Sequence, residues 1–403
     1  MAETNQFEWL TGVEAVLRRP DAYVGANDPV EEEVQTIQSG GTVETLKFTM
    51  SPILMKIIDE VIVNAIDGAA RDPLVRNISC AFDRSSGFVC VENDGSGIPI
   101  KEFGSTGRLI PSVIFSELHA GSNFADSEAR LTGGRNGVGV SCTNVWSTSF
   151  EVEVRDGKQR FRQRFESNLT TVHEPEVEAA SDRKGLVRVR FRPDYERMGM
   201  NYIENGEIIE KLLHMRCLEA GVCLRSGAII SFQNVRLSNK PQDFLRILAG
   251  TDTVGAEDFG SSVGAGCSLV FGRRLQGLDF YGFVNGVRCD GGTLSAHVRD
   301  RLTKIIVELI HKRQPHLTVR SQTVRDVLAI LCVARVVNPR FTSQSKDSLA
   351  TRWQELGFQV ENSNRLSTKL QRMGIVDEIL QRESERELIR GRQDAKSPTK
   401  LSK

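Results

Sequence analysis

A two-domain α+β fold is predicted for this 403-residue chain. Residues 52–71 space their apolar side chains at helical intervals, the mark of a helix with one buried face. Residues 77–195 hold short runs in which apolar and polar side chains alternate, separated by turn residues, as in half-buried strands. Around 236–242, "RLSNKPQ" interrupts the pattern, and a second alternation of strands and helices begins beyond it.

The elements follow in order. "VEAVLRR" reads as a short helix, and the turn-like "RPDAYVGANDP" and a polar segment ending in "ETLKFTM" follow it. After the 52–71 helix, "NISCAFD" and "FVCVEND" flank the turn "DRSSG" as a hairpin. "PSVIFSELH" is a helix, residues 120–139 are a glycine-rich polar loop, and a helix starts at about 138. Strands run through "FEVEVRD", "QRFRQRF" and "LVRVRFRPD", then a helix over 205–220 and the strand "AIISFQNV". The second region offers the strands "SLVFG" and "LDFYGFVNGV", a helix over 293–313, the strand "VLAILCVARV", and a charged helix over 366–395.

Hydrophobic residues make up 39% and charged residues 26%, which suits a globular chain. Formal net charge is zero, so a nucleic acid would have to be met by local patches. No apolar run reaches the length of a membrane span, and the N-terminus lacks the basic and apolar regions of a secretory signal. The eight cysteines are scattered and form no CxxC, and the six histidines are isolated. Reduced core thiols, no structural zinc and an intracellular location are expected.

"DEVIVNAIDGA", residues 59–69, carries Glu60, Asn64 and Asp67 within an apolar run. At helical spacing these three lie at roughly 0°, 40° and −20° and form one polar stripe. By itself the stripe is also what a solvated helix face looks like. "FVCVENDGSGIP" is a strand that ends on Asp94. A carboxylate only accepts hydrogen bonds, which suits an exocyclic amine such as that of adenine. Gly95 and Gly97 allow backbone geometry closed to other residues and leave room for a flat ligand. A plain Asp-Gly turn is the alternative. "GGRNGVGVSCTNVW" is glycine-rich backbone running into a helix, able to present N–H donors to phosphate or to be a surface loop. It is neither a P-loop, since no GK[ST] follows, nor a Rossmann fingerprint. In "LHAGSNF", Ser122 and Asn123 could hydrogen-bond a sugar or a phosphate.

The order of these motifs, ExxxNxxD helix, strand ending in DGxG, glycine-rich loop, resembles that of the GHKL ATPases with their Bergerat fold. The resemblance implies ATP and Mg²⁺ as cofactors. It implies Glu60 as general base for the water that attacks the γ-phosphate, Asn64 as the magnesium ligand, and Asp67 as a supporting residue. Asp94, Gly97, Ser122, Asn123 and the loop Gly134, Arg135, Asn136, Gly137, Val138 and Gly139 would bind the nucleotide.

"RRPDAYVG", "KIIDEVIVNAIDGA", "NDGSGIP", "SNF" and "GGRNGVG" together resemble the ATPase region of type II DNA topoisomerases, nearer those of eukaryotes and large DNA viruses than bacterial gyrase. "NPRFTSQSKDSL" is similar to the QTK loop of that family, here Gln344, Ser345 and Lys346, and "GIVDEIL" to the segment beyond it. The resemblance implies a Bergerat domain over 1–237 and a smaller α/β transducer over 238–403. Lys346, with Gln344 beside it, would reach the γ-phosphate as a point charge. Tyr23 stands where the family's N-terminal segment reaches the partner's nucleotide, and it could equally be a packing tyrosine. Ser141 stands where many cellular relatives have a lysine, which by the resemblance would leave one cationic phosphate contact missing. The expected partners are a second copy on ATP binding, a duplex DNA segment, and a DNA cleavage and religation core lying beyond this part of the chain. The site of action would be the nucleus, or a virus factory or virion. No Toprim-like acidic cluster is visible. Two relatives of the same fold fit less well: a MutL-type repair protein, which the RPxxYxG segment and the Gln-Ser-Lys loop oppose, and a histidine kinase, which would need a phosphoacceptor helix. A nucleotide-gated interaction module with little turnover is the alternative of another class, and Glu60 speaks against it.

Overall fold

The computed structural model describes residues 10, 12–38, 42–120, 131, 137–180, 184–224, 227–260, 264–343 and 346–396. It divides into two compact units. The first holds Met1–Lys240 and two short returns of the chain, Asn285–Val287 and Ser343–Lys346. The second holds Pro241–Val284, Arg288–Thr342 and Asp347–Lys403.

The first unit begins with helix α1 (Gly12–Arg18) and a hairpin of β1 (Val30–Ile37) and β2 (Val43–Met50). This hairpin was not anticipated. Glu31, Glu32 and Glu33 are all exposed, so β1 lacks the alternation that marks a half-buried strand. Helix α2 (Pro52–Arg71) starts where Ser51 accepts from the Ile53 N–H at 3.3 Å and proline takes the first position, where a missing N–H costs nothing. Strands β3 (Asn77–Asp83) and β4 (Phe88–Gly95) form the expected antiparallel hairpin. Helices α3 (Ile110–Ser116) and α4 (Gly139–Val145) follow, then β5 (Ser147–Asp156), β6 (Gln159–Glu166), β7 (Thr171–Val172), β8 (Glu176–Ala179) and β9 (Gly185–Pro193). Helix α5 (Tyr202–Cys223) and strands β10 (Ile229–Phe232) and β11 (Val235–Arg236) complete it.

Among the described residues these strands make one sheet in the order β11-β10-β3-β4-β9-β5-β6-β7, with β8 also paired to β6. Pairing is antiparallel except between β10 and β3. The apolar side chains of α2 and α5 meet those of the sheet in one core, around Ile57, Ile62, Val89, Val91, Phe150 and Phe191. The opposite sheet face is a ladder of charges in which Glu153 pairs with Arg155, Arg160 and Arg188 at 2.7–3.1 Å. A sheet with one face in the core and one in water therefore explains the alternation seen from 77 to 195.

The second unit runs α6 (Pro241–Ala249), β12 (Val254–Gly260), β13 (Gly266–Arg273), β14 (Phe280–Val284), β15 (Val287–Arg288, whose first residue is counted with the first unit), α7 (Gly292–His311), α8 (Ser321–Val327), β16 (Leu328–Arg335), β17 (Ser348–Leu349), α9 (Asn364–Arg372) and α10 (Ile375–Lys396). Its sheet has the order β12-β13-β16-β14-β15, with β14 and β16 parallel. Leu294, Val298, Leu302, Ile305 and Leu309 of α7 recur every three or four residues and are buried in this unit's own core. The single charged helix expected over 366–395 is two helices. Gly374, at φ +71, ends the first and turns the chain into the second. Both units mix helices with largely antiparallel sheets, and the fold class is α+β. Among the described residues no helix is long and apolar enough to cross a membrane.

Candidate active site

Within the first unit, α2, α3, β4, β9 and the start of α4 enclose a cavity of about 760 Å³. Most of its wall is apolar, with Val61, Ala65, Val91, Ile98, Ile114 and Val189. Glu60, Asn64, Asn93, Ser96 and Lys346 supply polar groups. An apolar cleft with a few convergent polar groups is the usual form of a small-molecule site.

Glu60 is 8% exposed. Its Oε1 lies 2.6 Å from Lys56 Nζ, one helical turn back, and 3.9 Å from Lys346 Nζ, from a segment far along the chain. Burial pushes the Glu60 carboxyl up, but the ammonium groups of Lys346 and Lys56 together outweigh it and hold its pKa below the ordinary carboxylate value. Burial likewise works against the Lys56 ammonium, and Glu60 and Asp59 overcome it, so the Lys56 pKa is raised. Cys142 lies close enough for its thiol to be pushed up to about 12, by burial first and by Glu60 second. Glu60 is thus an ionised carboxylate between two cations, at a cavity wall. Gly139, the first residue of α4, packs against this carboxylate.

Asn64 is exposed and lines the cavity one turn beyond Glu60. Asp67, the third member of the stripe, is 2% exposed and does not line it. Gly97, Gly137, Val138 and Gly139 line the cavity. Gly97 and Gly137 have φ of +75 and +61, a region that favours glycine. Tyr23 is half-buried, packs against the first unit's core and is not part of the wall. Ser141 is fully buried and donates to the Val138 carbonyl at 3.0 Å. Ser122, Asn123, Gly134, Arg135, Asn136, Gln344 and Ser345 lie outside the described residues.

Asp94 requires a correction. It is not in the cavity wall. Its Oδ1 accepts from the Arg76 and Asn77 backbone N–H groups at 2.7 and 2.9 Å, and its Oδ2 from Asn77 Nδ2 at 2.6 Å. The reason is the pleat. Adjacent residues of β4 point to opposite faces, and Val91 and Asn93 share the face that looks into the cavity. Asn93 Nδ2 donates to the Asp94 carbonyl at 2.8 Å, which leaves its amide oxygen as the group with acceptor capacity to spare. Sequence reasoning passed over Asn93 in the wall and Lys56 beside Glu60, and also the wall residues Arg71, Asp72 and Ser96. Counting by twos from the buried Val89 and Val91 finds Asn93. Stepping back four from Glu60 finds Lys56.

A family profile described as DNA gyrase B matches residues 242–397. DNA topoisomerase 2 of Pisum sativum is 29% identical over 382 residues, 92% of this chain and 26% of its own length. The chain thus spans about a quarter of the length of such relatives. The crystal structure of the ATPase and transducer domains of DNA topoisomerase II from Balamuthia mandrillaris is 30% identical, with a TM-score of 0.86, over 96% of this chain and 100% of that one. This chain belongs to the type II DNA topoisomerase family. The ATPase region of the Saccharomyces cerevisiae topoisomerase II is similar too, with 26% identity and a TM-score of 0.83 over 94% and 98% of the two chains. The two units thus have the fold of the ATPase and transducer domains of type II topoisomerases, and the Bergerat fold expected from the motif order is the fold observed.

Proposed function

We propose that this chain is the ATP-operated gate of a type II DNA topoisomerase. The cavity takes ATP. Asn93 accepts from the adenine amine, while Val91, Ile98 and Val189 cover the ring. Glu60 removes a proton from the attacking water, and Lys346 supplies positive charge where charge shifts on the phosphoryl oxygens. The observation that carries the reading is the meeting of Glu60 and Lys346, 3.9 Å apart, at the wall of this cavity.

Magnesium fits the residues present. Among the described residues no group of three or more His, Cys, Asp or Glu side chains is placed to hold a metal, but Asn64 offers a neutral oxygen beside Glu60. Magnesium is commonly held by one or two protein oxygens together with substrate phosphates and water. When bound it offsets charge on the phosphates.

Closure of two copies around a DNA duplex, reset by hydrolysis and coupled to a cleavage core elsewhere in a full-length enzyme, is the role this places on the chain. It is a role in the nucleus or at another site of DNA replication. The test combines turnover and mass. ATP hydrolysis should be measurable and rise with duplex DNA, and Glu60→Gln should keep ATP binding while losing roughly 10²-fold or more in turnover. Light scattering should give a larger mass with a non-hydrolysable ATP analogue than without, since a ligand that favours the closed dimer shifts the population toward it. Near-normal turnover in Glu60→Gln sinks the base assignment. One mass under both conditions sinks the gate.

A further inference from the structure

The Glu60 carboxylate is not symmetric. Lys56 and Lys346 are both measured from Oε1, at 2.6 and 3.9 Å. Oε2 faces the first residue of α4. A Cβ placed on Gly139 would lie 2.7 Å from Glu60 Cδ, 3.1 Å from Cγ and nearer still to Oε2. We infer that Gly139 is a positioning residue for the general base: its missing side chain is what lets Oε2 stand at the cavity wall, where it takes the proton while Oε1 stays paired with Lys56.

This rests on Glu60 being the base, and it gives Gly139 a role other than a backbone contact to phosphate. Three observations favour it. Gly139 does not occupy the left-handed region, so its backbone would accept any residue, and the need for glycine lies in the space beside it. All three nearest atoms to the added Cβ belong to Glu60. Those atoms form the end of a flexible side chain rather than backbone, so an added methyl would move the carboxylate and spare the fold. The move would be about 1 Å, a displacement that can cost on the order of 10²-fold in rate.

The experiment uses the 403-residue chain and reads turnover, nucleotide affinity and melting temperature for Gly139→Ala, Glu60→Gln, Glu60→Asp and the double variants. Gly139→Ala should lose about 10²-fold in kcat, with the dissociation constant of a non-hydrolysable ATP analogue changed by less than about threefold. On the Glu60→Asp background, where the side chain is one methylene shorter, adding Gly139→Ala should change kcat and melting temperature little. On the Glu60→Gln background it should cost nothing more. A loss of affinity with kcat intact would make Gly139 a phosphate contact and overturn the inference. So would an equal loss of melting temperature with Glu and with Asp at position 60, because the methyl would then be meeting something else. Normal turnover in Gly139→Ala beside a dead Glu60→Gln would overturn this inference alone. Normal turnover in Glu60→Gln would remove the base itself, and the inference with it.

Discussion

Lys56 Nζ and Glu60 Oε1 are 2.6 Å apart on one face of α2, with both side chains about nine-tenths buried. A lysine four residues before a glutamate is the less favourable order for helix stability, and burying the pair costs desolvation of both ions. What the arrangement secures is the charge of Glu60. The apolar surroundings would otherwise favour the neutral acid, which cannot serve as a base.

Lys56→Met should therefore move the acid limb of the pH–kcat/KM profile to higher pH. The sign follows from the causes: burial raises the Glu60 pKa, and one of the two cations that lower it is gone. Lys56→Arg should restore most of the profile. Stability should respond in the same sense. A carboxyl held below its unfolded value stabilises the fold above that value and loses the contribution as pH falls through the folded one. The melting-temperature gap between the unmutated chain and Lys56→Met should then narrow below about pH 4, near the ordinary Glu pKa. An unmoved acid limb in Lys56→Met would show that Lys56 does not tune the base.

Lys346→Ala should slow hydrolysis by about 2–4 kcal/mol, the range for one preorganised donor, and leave nucleotide affinity nearly unchanged. Lys346→Arg should rescue poorly, since the lysine is only 7% exposed and a forked guanidinium does not fit the space of a compact ammonium. Turnover set against the dissociation constant decides it. If affinity alone falls, Lys346 is a ground-state contact.

Asn93 and Asp94 should separate cleanly despite being neighbours. Asn93→Ala should weaken ATP binding with little change in melting temperature. Asp94→Ala should do the reverse, losing about 1–2 kcal/mol of stability as the backbone of Arg76 and Asn77 loses its acceptor. Isothermal titration and thermal melts on the two variants check both halves. A large affinity loss in Asp94→Ala would restore the carboxylate to the site.

Gly97→Ala should be among the most damaging single-methyl additions. Gly97 sits at φ +75, and a Cβ there would lie 2.9 Å from the Arg155 carbonyl carbon and nearer still to its oxygen. Unlike the end of a side chain, that backbone is held in β5. A loss of about 3 kcal/mol or more is expected, read by chemical denaturation. A change of under about 1 kcal/mol would mean that β5 can yield.

Much of the fold can be read from local periodicity. The spacing of apolar residues marks α2 at 52–71, and the alternation in "NISCAFD" and "FVCVEND" marks the β3–β4 hairpin, because in both cases one face is buried and the other is not. The β1–β2 hairpin escapes the same test, with a run of exposed glutamates instead of alternation. Gly374 inside a charged stretch gives no periodic signal that a helix ends there.

By itself the sequence determined the polar stripe on α2, the ordered motifs and the fold class, since each depends on residues close together in the chain. Tertiary structure alone decided which groups of those motifs share a space. The pleat of β4 turns Asn93 into the cavity and Asp94 out of it, so a motif read as a string names the wrong neighbour. Asp67 satisfies the helical stripe yet is covered, because the cavity occupies only part of that face. Lys346 reaches Glu60 from the far side of the chain, and the need for a glycine at 139 comes from a carboxylate on another helix. Periodicity reports only which side of an element is buried. What it is buried against, and which oxygen of a carboxylate is left facing the cavity, depends on contacts between distant segments that local spacing does not encode.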